Sequence, residues 1–209
     1  MRTYIEYDLR FLGLQSEIVR KLWFMLAHYS GQIINYSDLA SSMSISQPTL
    51  LKYIHMLSEA FMVRLLKPWH ANLKKRQVKS PKFYYRDSGL LHYVLGIKTY
   101  EEIFLNPKAG ASFEGFAMEQ IIQVHESHEN CYFWATHNAA ELDLLLIKDG
   151  KKLGFEFKLS DAPKITPSMR IAMEDLELDH LTVIYPNGRT YALGENITVK
   201  SLMDYMSAT

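Results

Sequence analysis

AAELDLLLIKDGKKLGFEFKLS, residues 139–160, reads as two strands joined at Asp149-Gly150, a dipeptide suited to a two-residue hairpin turn. Cross-strand partners in such a hairpin are equidistant from the turn, so Asp143 faces Glu156 and Glu141 faces Lys158. Side chains alternate along a strand. Leu142, Leu144, Leu146, Leu153, Phe155 and Phe157 are therefore expected on one face, and Asp143, Glu156 and Lys158 on the other. Opposed Cβ atoms lie roughly 4.5–5.5 Å apart, where like charges destabilise a sheet. Two facing carboxylates call for a counter-charge, and a divalent metal with Lys158 beside it fits that need.

Outward from the hairpin, ASFEGFAMEQIIQVHES reads as a helix. Phe113, Phe116, Ala117, Ile121 and Val124 are expected toward the core, with Glu114 near the N-terminus. CYFWAT is a strand, a helix runs from about 167 to 176 after Pro163 and Pro167, and LTVIY is an apolar strand closed by Pro186-Asn187-Gly188. The order is α-β-β-β-α-β, and the helix before LTVIY permits a right-handed crossover to a parallel strand. GLLHYVLGI and TYEEIF, short helices ahead of Asn106-Pro107, start this second region near Ser88.

Residues 1–87 have a different texture. SEIVRKLWFMLAHY places Ile18, Leu22, Met25, Leu26 and Tyr29 on one helical face. NYSDLASSM is a short helix, Ser44-Ile45 a turn, and SQPTLLKYIHMLSEA a longer helix with Ser46 as N-cap and Pro48 in the first turn. Leu50, Ile54 and Leu57 form its buried stripe, leaving Gln47, Thr49, Lys52 and Tyr53 on the open side. This is the helix-turn-helix plan. FMVRLLKP and KFYYR flank the basic loop HANLKKRQVKS, as in the wing of a winged helix. The same pattern also suits an ordinary three-helix packing module with a solvated loop.

Composition sets the outer limits. In 209 residues, 48% hydrophobic, 23 basic residues balance 23 acidic ones. Between Ala60 and Arg86, however, Arg64, Lys67, Lys74, Lys75, Arg76, Lys79, Lys82 and Arg86 occur without a single acid. Such a strip suits a polyanion, and Lys74, Lys75, Arg76 and Lys79 join Gln47, Thr49, Lys52 and Tyr53 as expected DNA contacts. The lone Cys131 excludes an internal disulfide and a multi-cysteine zinc site. With no leader-like segment and no membrane-length apolar run, a reducing cytoplasm is the expected setting. His125-x-x-His128 has metal-pair spacing but reads as a solvated helix end.

Glu114 on the helix, Asp143 on the second strand and Glu156-x-Lys158 on the third resemble the PD-(D/E)XK nuclease superfamily. More of the chain, from NYSDLASSM through KFYYRDSGLLHYVLG to GASFEGFAMEQ, ELDLLL and GFEFKLSDAPKITPSMRIAMEDL, resembles the uncharacterised C-terminal region that follows an AAA-type ATPase domain in many prokaryotic proteins. That resemblance implies a winged-helix-like module over 1–87, a restriction-endonuclease-like α/β domain over 88–209, and an ATPase upstream. No G-x-x-x-x-G-K-[ST] occurs, so no ATPase site is expected in this chain. Where the family often has Arg-Thr before a Gly-containing turn, this chain has Ala135-Thr136-His137-Asn138-Ala139-Ala140, without the Arg that would contact a phosphate.

The resemblance also implies a role for each residue. Asp143 and Glu156 would supply oxygens to Mg²⁺ or Mn²⁺, with the Phe157 carbonyl as a further ligand and Glu114 at a second metal or a metal-bound water. Lys158 would orient the attacking water and stabilise developing charge. The expected function is DNA binding with metal-dependent phosphodiester hydrolysis. The alternatives are a non-catalytic DNA-binding or regulatory module that retains a nuclease fold, and a protein-interaction module. At the residue level, Glu114 could instead complement a helix dipole and Lys158 could simply pair with Glu141.

Overall fold

A computed structural model of the protein describes residues 16–70, 77–137 and 140–208. The fold is mixed α/β. In chain order the first elements are α1 (Ser16–Tyr29), β1 (Gln32–Ile33), α2 (Tyr36–Met43), α3 (Gln47–Glu59), β2 (Val63–Pro68), β3 (Lys82–Tyr85), α4 (Ser88–Val94) and α5 (Tyr100–Leu105). There follow α6 (Ala109–Val124), β4 (Cys131–Ala135), β5 (Glu141–Lys148), β6 (Lys151–Phe157), α7 (Pro167–Leu176), β7 (His180–Tyr185), β8 (Tyr191–Gly194), β9 (Ile197–Ser201) and α8 (Leu202–Ser207).

Local chemistry fixes the first helices. Asn35 caps α2 by accepting from the Asp38 amide, and Ser44 closes it in a left-handed conformation. Ser46 then caps α3 through the Thr49 amide, with Pro48 in the first turn. The buried stripe of α3 is Leu50, Tyr53, Ile54 and Leu57. Tyr53 is thus a core residue, 6% exposed, and not part of the open face; its place one turn before Leu57 carries it inward with the aliphatics. On α1 the fully buried positions are Val19, Leu22, Trp23, Leu26 and Ala27, while Ile18, Met25 and Tyr29 flank them.

All nine strands among the described residues share one sheet, in the order β1-β3-β2-β4-β5-β6-β7-β9-β8. The β2–β3 hairpin does not stand apart from it, because β2 runs parallel to β4 with Lys67 opposite Tyr132. The crossover through α7 delivers β7 parallel to β6, with Glu156 opposite Val183. The β5–β6 turn has the expected register, pairing Leu144 with Phe155, Leu146 with Leu153 and Lys148 with Lys151. Asp149 and Gly150 both have positive φ, 51° and 76°, as a twist-matched hairpin turn requires.

One expectation about this hairpin fails. Between Tyr132 and Trp134 the β4–β5 register slips, so that Asp143 and Leu144 together oppose Phe133. This β-bulge reverses the alternation. Leu144, Leu146, Phe155 and Phe157 pack with Ala117, Met118 and Ile121 of α6, whereas Leu142 joins Leu145, Met169, Ala172 and Leu181 on the α7 side. Helix α6 is also turned from its expected face: Phe116 is exposed, Phe113 and Val124 are half-buried, and Met118 and Ile122 lie in the core. Close approach explains the rotation. Gly115 sits against Tyr84, where an added Cβ would lie 3.3 Å from the ring. Among the described residues no helix is long and apolar enough to cross a membrane.

Candidate functional site

The β2–β3 hairpin and the β5–β6 hairpin meet α6 at one place. On β3 the alternating positions Lys82 and Tyr84 point toward the helix, and Arg86 follows just beyond the strand. Arg86 Nε donates to Glu119 Oε2 at 3.0 Å, and Arg64, which lies opposite Tyr84 on β2, contacts the same carboxylate through Nε and Nη2, the latter at 2.9 Å. This two-arginine clamp fixes the hairpin to α6 and accounts for two members of the basic strip.

Nearby, Tyr84 donates its hydroxyl to Glu114 Oε1, which also receives Lys82 Nζ at 3.4 Å. The same ammonium pairs with Glu141 and lies 3.7 Å from Asp143 Oδ1. Asp143 Oδ2 accepts the Phe157 amide at 3.0 Å, so the bulge aims this carboxylate at the edge of β6. Glu156 Oε2 receives Lys158 Nζ at 2.7 Å. Lys158 therefore pairs with its own strand neighbour, and Glu141 pairs with Lys82, which corrects the expected Glu141–Lys158 contact. Ser168 at the start of α7 holds Glu141 by accepting its amide at 2.8 Å and donating to its carbonyl at 2.7 Å.

Exposure differs sharply within the group. Lys82 is 4% exposed and Glu156 is buried, whereas the side chains of Lys158 and Glu141 are 37% and 43% exposed. Burial, reinforced by the Asp143 charge, pushes Glu114 up to about 7 and Glu156 up to about 8. Burial alone would lower Lys82, but Tyr84, Glu114, Asp143 and Glu141 outweigh it and hold the ammonium well above its usual range. Lys158 is likewise raised, with Glu156 and Asp143 outweighing its desolvation. Carboxylates that resist ionisation beside protonated lysines mark a site where negative charge exceeds its compensation.

Charge and geometry give different answers about a metal. Glu114, Glu141, Asp143 and Glu156 face two ammonium groups, an imbalance that one divalent ion would meet. Yet among the described residues no three His, Cys, Asp or Glu side chains are gathered as a ligand set. The oxygens are held by Lys82, Lys158, Tyr84 and the Phe157 amide. The donor chemistry suits Mg²⁺ or Mn²⁺, with the lysines standing where a cation's charge would act.

The four residues expected from the sequence, Glu114, Asp143, Glu156 and Lys158, are brought together. Lys82 and Tyr84 were missed. Their signal was a lysine in a strand otherwise made of Phe83, Tyr84 and Tyr85, a setting that implies a buried cation with a partner. Of the expected nucleic-acid contacts, Gln47, Lys52 and Lys79 are exposed, Thr49 is half-buried and hydrogen-bonded to Ser46, and Tyr53 is in the core. Lys74, Lys75 and Arg76 lie outside the described residues. His125 donates to or accepts from the Tyr205 hydroxyl at 2.7 Å, a packing role at the end of α6.

Comparison with known proteins matches the chain in two stretches. Residues 1–101 match a family model described as Domain of unknown function (DUF8612), and residues 109–205 one described as Domain of unknown function (DUF4143). The chain is similar to uncharacterised proteins of Mycobacterium tuberculosis and Mycobacterium bovis, each 42% identical over 197 residues. Those alignments cover 93% of this chain and 44% of each relative, so the chain spans less than half the length of the curated relatives it matches. No solved structure matches. The two domain matches share the candidate site: Lys82 and Tyr84 fall in the first, and Glu114, Glu141, Asp143, Glu156 and Lys158 in the second.

Proposed function

We propose that the chain binds DNA and that its carboxylate–lysine cluster hydrolyses phosphodiester bonds with Mg²⁺ or Mn²⁺. The observation that carries this reading is the cluster itself: Asp143 and Glu156 on adjoining strands and Glu114 on the covering helix, where burial, reinforced by the Asp143 charge, raises Glu114 and Glu156. Asp143, Glu156 and Glu114 would hold the ion, with the Phe157 carbonyl beside them. When bound, it supplies a polarised phosphoryl oxygen and a water of lowered pKa. Lys158, the more exposed of the two lysines, is available to a substrate phosphate and offsets its developing negative charge. The Asp143 orientation is set by the Phe157 amide, which costs no rearrangement during the reaction. DNA is held by the exposed side of the N-terminal half of α3, through Gln47 and Lys52, and by the basic segment at Lys79. An AAA-type ATPase, as the family resemblance implies, is the proposed partner domain. The greater length of the mycobacterial relatives leaves room for one.

A second reading is favoured by Lys82. A lysine already paired with Glu114, Glu141 and Asp143 suits a DNA-binding or regulatory module whose nuclease-like site is permanently neutralised. Incubation with single-stranded, duplex and branched DNA, with Mg²⁺ or Mn²⁺, separates the two. Metal-dependent cutting that disappears in Asp143→Asn and Lys158→Ala supports the nuclease. Intact DNA binding with no cutting on any substrate overturns it in favour of the second reading.

A further inference from the structure

We infer that Lys82 is the resident cation of the carboxylate cluster, and that a divalent ion enters only by displacing its ammonium group. The inference rests on the metal reading above and adds its regulation. Three observations carry it. Lys82 Nζ contacts Glu114, Glu141 and Asp143 at once, so it lies where the charge of a bound ion would act. The group is buried with those carboxylates, so the ammonium and an ion bound to the same oxygens compete for one space. Lys82 also belongs to a different element from its partners: it is the first residue of β3, directly after the segment that carries Lys79, whereas the carboxylates belong to α6, β5 and β6.

That placement makes the β2–β3 hairpin a regulator of the site. Arg64 and Arg86 anchor its far end to Glu119, and Tyr84 anchors its middle to Glu114. Lys82 stands at the opposite end of β3 from Arg86, where its ammonium is held by ion pairs with three carboxylates that a cation can replace.

Mn²⁺ titration without nucleic acid tests this, read by the electron paramagnetic resonance of free Mn²⁺, on wild type, Lys82→Met and Asp143→Asn. Lys82→Met is expected to bind Mn²⁺ at least about tenfold more tightly than wild type, within the usual range of coupling between two sites, and Asp143→Asn to lose the site. Equal affinity in wild type and Lys82→Met overturns the displacement while leaving the metal reading intact. No specific binding in either protein overturns both. Amine acylation read by mass spectrometry keeps the inference testable on the wild-type chain, whatever the variant's stability. Saturating Mn²⁺ is expected to raise labelling of Lys82 several-fold, and labelling that stays at its metal-free level overturns the displacement.

Discussion

Two hairpins meet over α6, and they differ in what they bring. The β5–β6 hairpin supplies Glu141, Asp143 and Glu156 and has a two-residue turn whose register follows from symmetry about Asp149-Gly150. The β2–β3 hairpin supplies Lys82, Tyr84, Arg64 and Arg86, and its strands are separated by a long connection. The first concentrates negative charge on neighbouring strands at a cost. The second brings positive charge from a distant part of the chain and removes much of that cost. A site of this kind is a property of the contact between hairpins, so changes in either one are expected to have distinct signatures.

The largest effect is expected on the acidic side. Asp143→Asn should remove metal-dependent cleavage and the Mn²⁺ site together, because Asp143 alone touches both the Phe157 amide and the Lys82 ammonium. Lys158→Ala should lower cleavage by about 10²-fold, the scale of losing one transition-state charge contact, with Mn²⁺ affinity little changed. Parallel loss of cleavage and Mn²⁺ binding in Lys158→Ala would count against its separate role.

On the basic side the largest effect concerns stability. Glu119→Ala leaves Arg64 and Arg86 without their shared carboxylate in a mostly buried position. Breaking such a group by removing one partner costs about 3–5 kcal/mol, which urea unfolding would register as a lower midpoint with an unchanged slope. A loss below about 1 kcal/mol would show that the hairpin is held by the strand pairing of β2 with β4 and not by the clamp.

The contrast between the hairpins also explains what could be read from the sequence. The Asp143–Glu156 juxtaposition, the element order and the parallel crossover follow from local patterns: a turn dipeptide, alternation, and a helix between two strands. The face of Leu142 did not, because the bulge depends on how β4 packs beside β5, and nothing within residues 139–160 encodes that. Tyr53 departs from the expected open face because helical spacing admits it to either edge of the stripe, and packing into the core with Leu50, Ile54 and Leu57 decides. From the sequence Lys82 is only one of eight basic residues in a strip, because its carboxylate partners lie more than thirty residues away in the chain. Local composition records that a charge exists; the fold determines whether water or a carboxylate neutralises it.

A pH series without divalent ions tests the charge imbalance. Glu114 and Glu156 are held at about 7 and about 8, above their ordinary range, so the folded state binds protons more tightly than the unfolded chain. Their stabilising contribution is complete below about pH 4.5, the ordinary value, and is lost as pH rises through 7 to 8. Thermal unfolding is therefore expected to fall by a few degrees between about pH 5.5 and 8.5. Glu156→Gln should flatten that fall, and saturating Mn²⁺ should oppose it at the alkaline end. A midpoint that rises across this interval in metal-free wild type would mean that Lys82 and Lys158 fully compensate the four acids.

The smallest expected effect bears on two lysines only three positions apart. Lys79 is exposed and Lys82 is buried among carboxylates. If the basic connection contacts phosphates, each lysine doing so releases counterions, and the logarithm of DNA affinity falls with the logarithm of salt by about 0.9 per contact. Lys79→Ala should therefore reduce the slope by about one contact. Lys82→Met should leave the slope unchanged, because a side chain paired with Glu114, Glu141 and Asp143 neutralises no phosphate and so releases none of the counterions condensed on DNA. Equal slopes for wild type and Lys79→Ala would remove Lys79 from the interface. A reduced slope in Lys82→Met would mean that DNA draws this ammonium out of the cluster and onto the backbone, the same departure by which a divalent ion gains entry.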